Sequence, residues 1–255
     1  MPEILKAILL GIVQGLTEFL PVSSSGHLVF LQKLGIGEPS VFFNLMLHIG
    51  TLTASAIVLF KPLIHVIKSL DSIIKILISC LPTFVIALIF ELFFEDLLKG
   101  ALLGVGFLVT AAVLVLTETL RNKDTAEIDK KRAFFTGVMQ GIAALPGISR
   151  SGMTIGFLKG TGVDGKEASE YSFIIGMPVI LGGALFELLP FITGDEKFSV
   201  ISDNWSVTAV IFGVIASFIS GLFAIKIMLR IFSKKSLLPF AAYVAALAVI
   251  SFIVL

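Results

Sequence analysis

Two apolar stretches of this chain, about 2–34 and 132–160, are each cut near the middle, the first at Pro21 and the second at Pro146-Gly147. A proline has no N–H for the helical ladder, and it pushes the residue before it toward extended backbone, so neither stretch can run through as one helix. The arm behind the first break, Ser24 to Leu34, has 11 residues. As a helix it would be roughly 16 Å long, about half of a ~30 Å hydrocarbon core. Such stretches are expected to fold as re-entrant helix–loop–helix hairpins. A bilayer tolerates their irregular backbone only where it is buried in protein or lines a wet cavity.

A bilayer is the relevant solvent because the rest of the chain demands one. Mean hydropathy is +1.04, 56% of residues are hydrophobic and 15% are charged, against roughly 25% charged in a soluble domain. Six further runs read as full spans, at about 41–60, 73–94, 100–119, 170–192, 206–230 and 237–255. The single cysteine, Cys80, lies in an apolar run, reads as a small buried hydrophobe and excludes an intrachain disulfide. No removable signal peptide is expected, since the start lacks a basic segment and a small-residue cleavage site. A net charge of +1 with no basic stripe gives no reason to expect nucleic acid.

The two broken stretches are related. A gapless shift of 126 positions pairs Gly11 with Gly137, Gln14 with Gln140, Gly15 with Gly141, Ser23 with Ser149, Ser25 with Ser151 and Gly26 with Gly152. The same shift brings Ile49-Gly50 onto Ile175-Gly176 and Leu59-Phe60 onto Leu185-Phe186. This register implies an internal duplication: residues 1–120 form the first repeat, 121–131 a charged linker and 132–255 the second repeat. Each half is one re-entrant pair plus three spans, and three is odd, so the second half enters from the opposite side. The expected fold is therefore an all-α polytopic membrane protein with an inverted-topology repeat. Loop charges orient it. With the N-terminus on one side, the other side receives Lys61, Lys68, Arg121, Lys123, Lys130, Lys131, Arg132, Lys159, Lys166, Arg230, Lys234 and Lys235, against Lys6, Lys33, Lys99 and Lys197. The cation-rich side is cytoplasmic, so both termini face outward.

The hairpins also hold the polar residues that hydrocarbon makes costly. Gln14 and Glu18 are four apart on one helix and share a face; they can offer oxygen to a hard cation such as Mg²⁺, which takes few protein ligands and keeps water and phosphate. Gln14 alone could equally bond a neighbouring helix. Ser23, Ser24 and Ser25 stand at the break, where one serine would cap the following helix and where helix N–H groups make an anion site. His27 follows three residues after Ser24 and could act as base or nucleophile, or orient a serine. Arg150 stays charged in any surroundings and needs an anion, either a phosphate gripped with Ser149, Ser151 and Thr154 or a structural ion pair with Glu18. His48 and His65 have no supporting motif nearby, Glu170 and Tyr171 are weak candidates, and Trp205 reads as an interface anchor.

Gln14-Gly15-Leu16-Thr17-Glu18-Phe19-Leu20-Pro21-Val22-Ser23-Ser24-Ser25-Gly26-His27 and Pro146-Gly147-Ile148-Ser149-Arg150-Ser151-Gly152-Met153-Thr154 together resemble the two signature blocks of the undecaprenyl-diphosphatase family, also known for bacitracin resistance. Ala168-Ser169-Glu170-Tyr171-Ser172-Phe173 fits the segment that follows, so the resemblance covers essentially the whole chain. It implies hydrolysis of undecaprenyl diphosphate to undecaprenyl phosphate and inorganic phosphate, recycling the lipid carrier for cell-wall synthesis. It further implies a divalent cation, Mg²⁺ or Ca²⁺, a bacterial plasma membrane and an active site open to the external face. A homodimer is left open. By position Glu18 matches the essential acid, Ser24 the nucleophilic serine, His27 the essential histidine and Arg150 the phosphate-binding arginine. Gln14 departs from the pattern, standing where many members carry a second glutamate, which removes one charge from the expected metal site. Ser-Gly-His also resembles phosphatidic-acid-type phosphatases, but nothing after Arg150 supplies their spaced histidine. The competing expectation is a transporter or lipid flippase on the same inverted repeat.

Overall fold

The computed structural model describes residues 1–120, 125–193, 205–234 and 236–255. Of the loop cations counted above, Arg121, Lys123, Lys197 and Lys235 lie outside the described residues, as does the first part of the linker. Apart from one isolated bridge between Ala126 and Val163, the described secondary structure is helical.

The first broken stretch forms α1 (Glu3–Phe19) and α2 (Ser24–Lys33), and the second forms α8 (Lys130–Ile142) and α9 (Arg150–Gly160). Between them run α3 (Val41–Val58), α4 (Phe60–Ile67), α5 (Leu70–Phe93), the short α6 (Glu95–Leu98) and α7 (Leu103–Leu120). The chain closes with α10 (Gly165–Thr193), α11 (Val207–Lys234) and α12 (Leu238–Val254). Local chemistry sets several starts. The side chains of Ser40, Ser69 and Asp129 accept from the N–H groups of Phe43, Ser72 and Arg132, satisfying donors that each helix start leaves open. Ahead of α12 a carboxylate does this job, Glu118 Oε1 accepting from Leu237 N at 2.7 Å.

Among the described residues five helices are long and apolar enough to span: Val41–Val58, Leu70–Phe93, Leu103–Leu120, Gly165–Leu185 and Val207–Phe232. The sixth expected span is the 17-residue helix α12, about 25 Å long and so slightly short of the hydrocarbon thickness. Along α5, Leu77, Leu81, Val85, Leu88 and Leu92 are exposed at spacings of three and four, while Ser79, Cys80, Pro82 and Thr83 are buried. An apolar stripe of that size facing out, with the polar side facing in, is the pattern of a helix in lipid. The chain is a multi-pass membrane protein.

Close packing joins the two broken stretches to distant helices. α1 lies along α11 and α8 lies along α5. A Cβ on Gly11 or Gly15 would run into the backbone of α11, and one on Gly137 into the carbonyl of Ser79. Hydroxyls stitch the same seams: Ser79 Oγ donates to Ala133 O at 2.8 Å and Thr83 Oγ1 to Gly137 O at 2.9 Å. Small residues with hydroxyl bonds are how helices associate where lipid removes the hydrophobic drive.

Two expectations change. Trp205 turns inward onto protein instead of displaying its ring: it is buried, it stacks on Phe43 with centroids 4.1 Å apart, and its indole N–H donates to Glu38 O. Lys159 is not a loop cation but a fully buried residue in the last turn of α9.

Candidate active site

The two breaks touch. Ser23 caps α2 by accepting from Gly26 N at 3.2 Å, and Ser149, its partner at the 126-residue shift, caps α9 by accepting from Gly152 N at 3.1 Å. Ser23 Oγ also accepts from Gly147 N at 3.1 Å, and Ser151 Oγ donates to Leu20 O at 2.9 Å. Thr110 on α7 holds the second break by donating to Gly147 O and accepting from Ser149 N. Ser23 itself has φ 69°, a left-handed conformation that a non-glycine residue holds only when its surroundings fix it. Gly26 carries no Cβ because one would strike Gly147 N and the Phe107 ring. The starts of α2 and α9 are thereby pinned side by side.

At this junction lies a cavity of about 210 Å³, lined among others by Glu18, Ser24, Ser25, His48, Thr83, Gln140, Ser149 and Arg150. Glu18 is its hub. Oε1 accepts from Arg150 Nη2, while Oε2 accepts from Ser24 Oγ at 2.7 Å and from Gln14 Nε2 at 3.0 Å. His48 Nε2 is 3.7 Å from the same Oε2. Only 6% of the Glu18 side chain and 17% of that of Arg150 are exposed. A carboxylate so enclosed holds its charge because a guanidinium and two further donors face it. Arg150 fits because Gly176 on α10 has no side chain: a Cβ there would occupy the guanidinium's place. Arg150 Nη1 adds a bond to Ser172 O at 3.3 Å.

The sequence candidates fall into two groups. Glu18, Ser24, Ser25, Ser149 and Arg150 line the cavity with the capping Ser23. His27, Ser151 and Thr154 are turned to other work. His27 Nδ1 lies 2.7 Å from Ser23 O and Nε2 lies 2.8 Å from Tyr243 OH, with the imidazole stacked on the Tyr243 ring. Thr154 Oγ1 donates to Arg150 O at 2.8 Å and sits 2.6 Å from Ser172 Oγ. Glu170 and Tyr171 line a separate cavity of about 510 Å³ with Lys61, His65 and Lys166. Sequence reasoning passed over His48, Thr83 and Gln140 as site residues. The first two come from spans α3 and α5, where no adjacent motif marks them. Gln140 carried a signal, being the repeat partner of Gln14.

For a cation, the oxygens at hand are those of Glu18, Ser24 and Gln14. Gln14 Oε1 is buried and has no hydrogen-bond partner, while Nε2 of the same amide bonds Glu18 Oε2; a half-turn of the amide sets the orphaned oxygen against the carboxylate, an arrangement a cation completes. Among the described residues no three His, Cys, Asp or Glu side chains cluster as a cage. The donor set therefore fits a cation that keeps water and phosphate in its shell. A second cavity, of about 370 Å³, shares Ser25, His48, Ala144, Val179 and Ile180 with the first and extends to Val41 and Leu98. An apolar groove of about 430 Å³ along Phe84, Leu88 and Gly183 adjoins both at Ala144.

Residues 7–250 match the model of a family described as bacitracin resistance protein BacA. An undecaprenyl-diphosphatase from Carboxydothermus hydrogenoformans is 39% identical over 250 residues, covering 96% of this chain and 94% of that protein. One from Halothermothrix orenii is 41% identical, covering 94% of each. One from Bacteroides fragilis is 36% identical, covering 99% of this chain and 98% of that protein.

Proposed function

The chain belongs to the BacA family of bacitracin resistance proteins, and from that premise we propose that it hydrolyses undecaprenyl diphosphate to undecaprenyl phosphate and inorganic phosphate. The observation that carries the reading is the Glu18 hub, where one buried carboxylate binds a serine hydroxyl on one hairpin and a guanidinium on the other. Ser24, Glu18 and Arg150 line one cavity beside the starts of two helices, which supports reading them as nucleophile, base and anion clamp.

The chemistry follows from these contacts. The terminal phosphate enters against Arg150 and the N–H groups at the starts of α2 and α9, which spread its charge. Ser24 Oγ attacks the phosphorus as its proton passes to Glu18, the acceptor already 2.7 Å away. The bond to the bridging oxygen breaks, and undecaprenyl phosphate leaves with that oxygen. Water then attacks the phosphoserine; Ser24 regains a proton from Glu18, inorganic phosphate departs and one proton goes to solvent. Ser24 rather than His27 is the nucleophile in this reading, because both His27 nitrogens have partners in the protein. His27 holds the first break in shape. A divalent cation, Mg²⁺ or Ca²⁺, would be held by Glu18 and Gln14. Bound there, it supplies charge neutralisation on the phosphate oxygens.

The same reading takes the fold as an inverted repeat with re-entrant hairpins. Reciprocal packing supports it: α1 lies on α11 of the other half, and α8 on α5 of the first. The active site then opens outward, since its cavity continues toward Val41 and Leu98, on the cation-poor side of the bilayer. The test is phosphate release from undecaprenyl diphosphate by purified protein in detergent with Mg²⁺ or Ca²⁺. Release is expected. None, from folded protein, sinks the enzyme reading and favours a carrier on the same scaffold.

A further inference from the structure

His48 lies outside both signature blocks, yet its imidazole is the third group around Glu18 Oε2, after Ser24 and Gln14. Its tautomer is fixed by a neighbour that can only accept: Nδ1 lies 2.8 Å from the carbonyl oxygen of Asn44, one turn back on α3, so Nδ1 carries the proton. In the neutral ring Nε2 is then a bare lone pair, and it faces Glu18 Oε2 at 3.7 Å. Two acceptors aimed at each other repel unless something positive stands between them. A third acceptor is close by, because Gln14 Oε1 is buried without a partner while its amide nitrogen bonds this same Oε2. A half-turn of that amide exchanges its two ends and brings the oxygen to face Oε2 as well. Arg150 engages the other carboxylate oxygen, Oε1, and so does not serve this side of Glu18.

We propose that His48 Nε2 is a direct ligand of the divalent cation, beside Glu18 Oε2 and Gln14 Oε1, and that the site prefers a first-row transition-type divalent cation over Ca²⁺. This rests on the reading that the site holds a cation at all. A metal-bound imidazole nearly always donates its other N–H to a carbonyl or carboxylate, which fixes the ring and makes the free nitrogen more basic. Asn44 O does this here. A nitrogen donor suits Fe²⁺, Ni²⁺ or Zn²⁺ and is accepted by Mn²⁺, whereas Ca²⁺ and Mg²⁺ take oxygen. The amide at Gln14 points the same way, because a neutral ligand weakens the charge attraction on which a hard cation depends.

The experiment uses the full-length protein in detergent with Mn²⁺ as the probe. Titration followed by electron paramagnetic resonance gives the affinity, and pulsed measurements on the bound ion report whether an imidazole nitrogen is coordinated. The wild type is expected to show nitrogen coupling. His48→Gln, which keeps a neutral side chain but offers no imidazole, is expected to lose the coupling and at least about tenfold in Mn²⁺ affinity, with Ca²⁺ affinity changed by less than about threefold. Bound Mn²⁺ without nitrogen coupling in the wild type overturns the proposal while leaving a cation at Glu18 standing. Coupling or affinity that survives in His48→Gln also overturns it. If no Mn²⁺ or Ca²⁺ binds at all, the cation reading itself falls, and the proposal with it.

Discussion

Replacing Gly176 by alanine should separate folding from chemistry. Gly176 sits inside α10, where exchanging glycine for alanine ordinarily favours the helix by about 1 kcal/mol. Its missing Cβ is the space that the Arg150 guanidinium occupies, with Nη1 and Cζ the nearest atoms. A methyl there cannot coexist with the observed rotamer. The end of an arginine is flexible, so the helix stays and the guanidinium moves by roughly an ångström, a misplacement that can cost about 100-fold in rate. Moving it also strains the bonds to Glu18 Oε1 and Ser172 O. The net expectation is thermal stability within about 1 kcal/mol of wild type, from opposed terms, with kcat/KM lower by about 100-fold. Thermal unfolding in detergent and phosphate release from the prenyl diphosphate measure both on one preparation. Full activity in a folded Gly176→Ala protein would refute the claim that Arg150 works from this position; collapse of the fold would refute the energetic argument.

Ser24→Ala should lower kcat by at least about 1,000-fold with a retained fold, the loss typical of removing a nucleophile, and denatured wild-type protein trapped during turnover should carry phosphate on Ser24. Tyr243→Phe removes the partner of His27 Nε2 and should cost about 1–3 kcal/mol of stability, read as a fall in unfolding temperature; an unchanged value would mean that this bond does not hold the break. Gln14→Glu places a second carboxylate beside Glu18 in place of a donor. It should raise divalent-cation affinity at least about tenfold, seen by calorimetry, and lower stability in chelator, where two close carboxylates repel.

What the sequence made legible follows the hairpins. Pro21 and Pro146-Gly147 stand where helices must end, and the structure has α1 and α2 separated at 20–23 and α8 and α9 at 143–149. The 126-residue register led from Ser23 to Ser149, and those two residues turn out to be the caps of α2 and α9. The ion pair weighed above for Arg150 and Glu18 is present. Residues in uninterrupted spans were harder to read. His48 had no motif around it, since the residues flanking it, Leu47 and Ile49, are apolar and its relation to Glu18 exists only in three dimensions. Hydroxyls show another limit. Ser151 and Thr154 have the spacing of phosphate ligands, but a hydroxyl on a helix easily donates to a nearby carbonyl, and both do. His27 shows the same limit: its partner Tyr243 is 216 residues away, beyond any local pattern.

The central claim is that neither hairpin is a site alone, the first bringing Glu18 and Ser24 and the second Arg150. Phosphate release from undecaprenyl diphosphate by the purified protein, measured for wild type, Glu18→Ala and Arg150→Ala side by side, tests it most directly. Release by wild type and a loss of at least about 100-fold in each variant is the predicted result. Wild-type rates in either folded variant would contradict it.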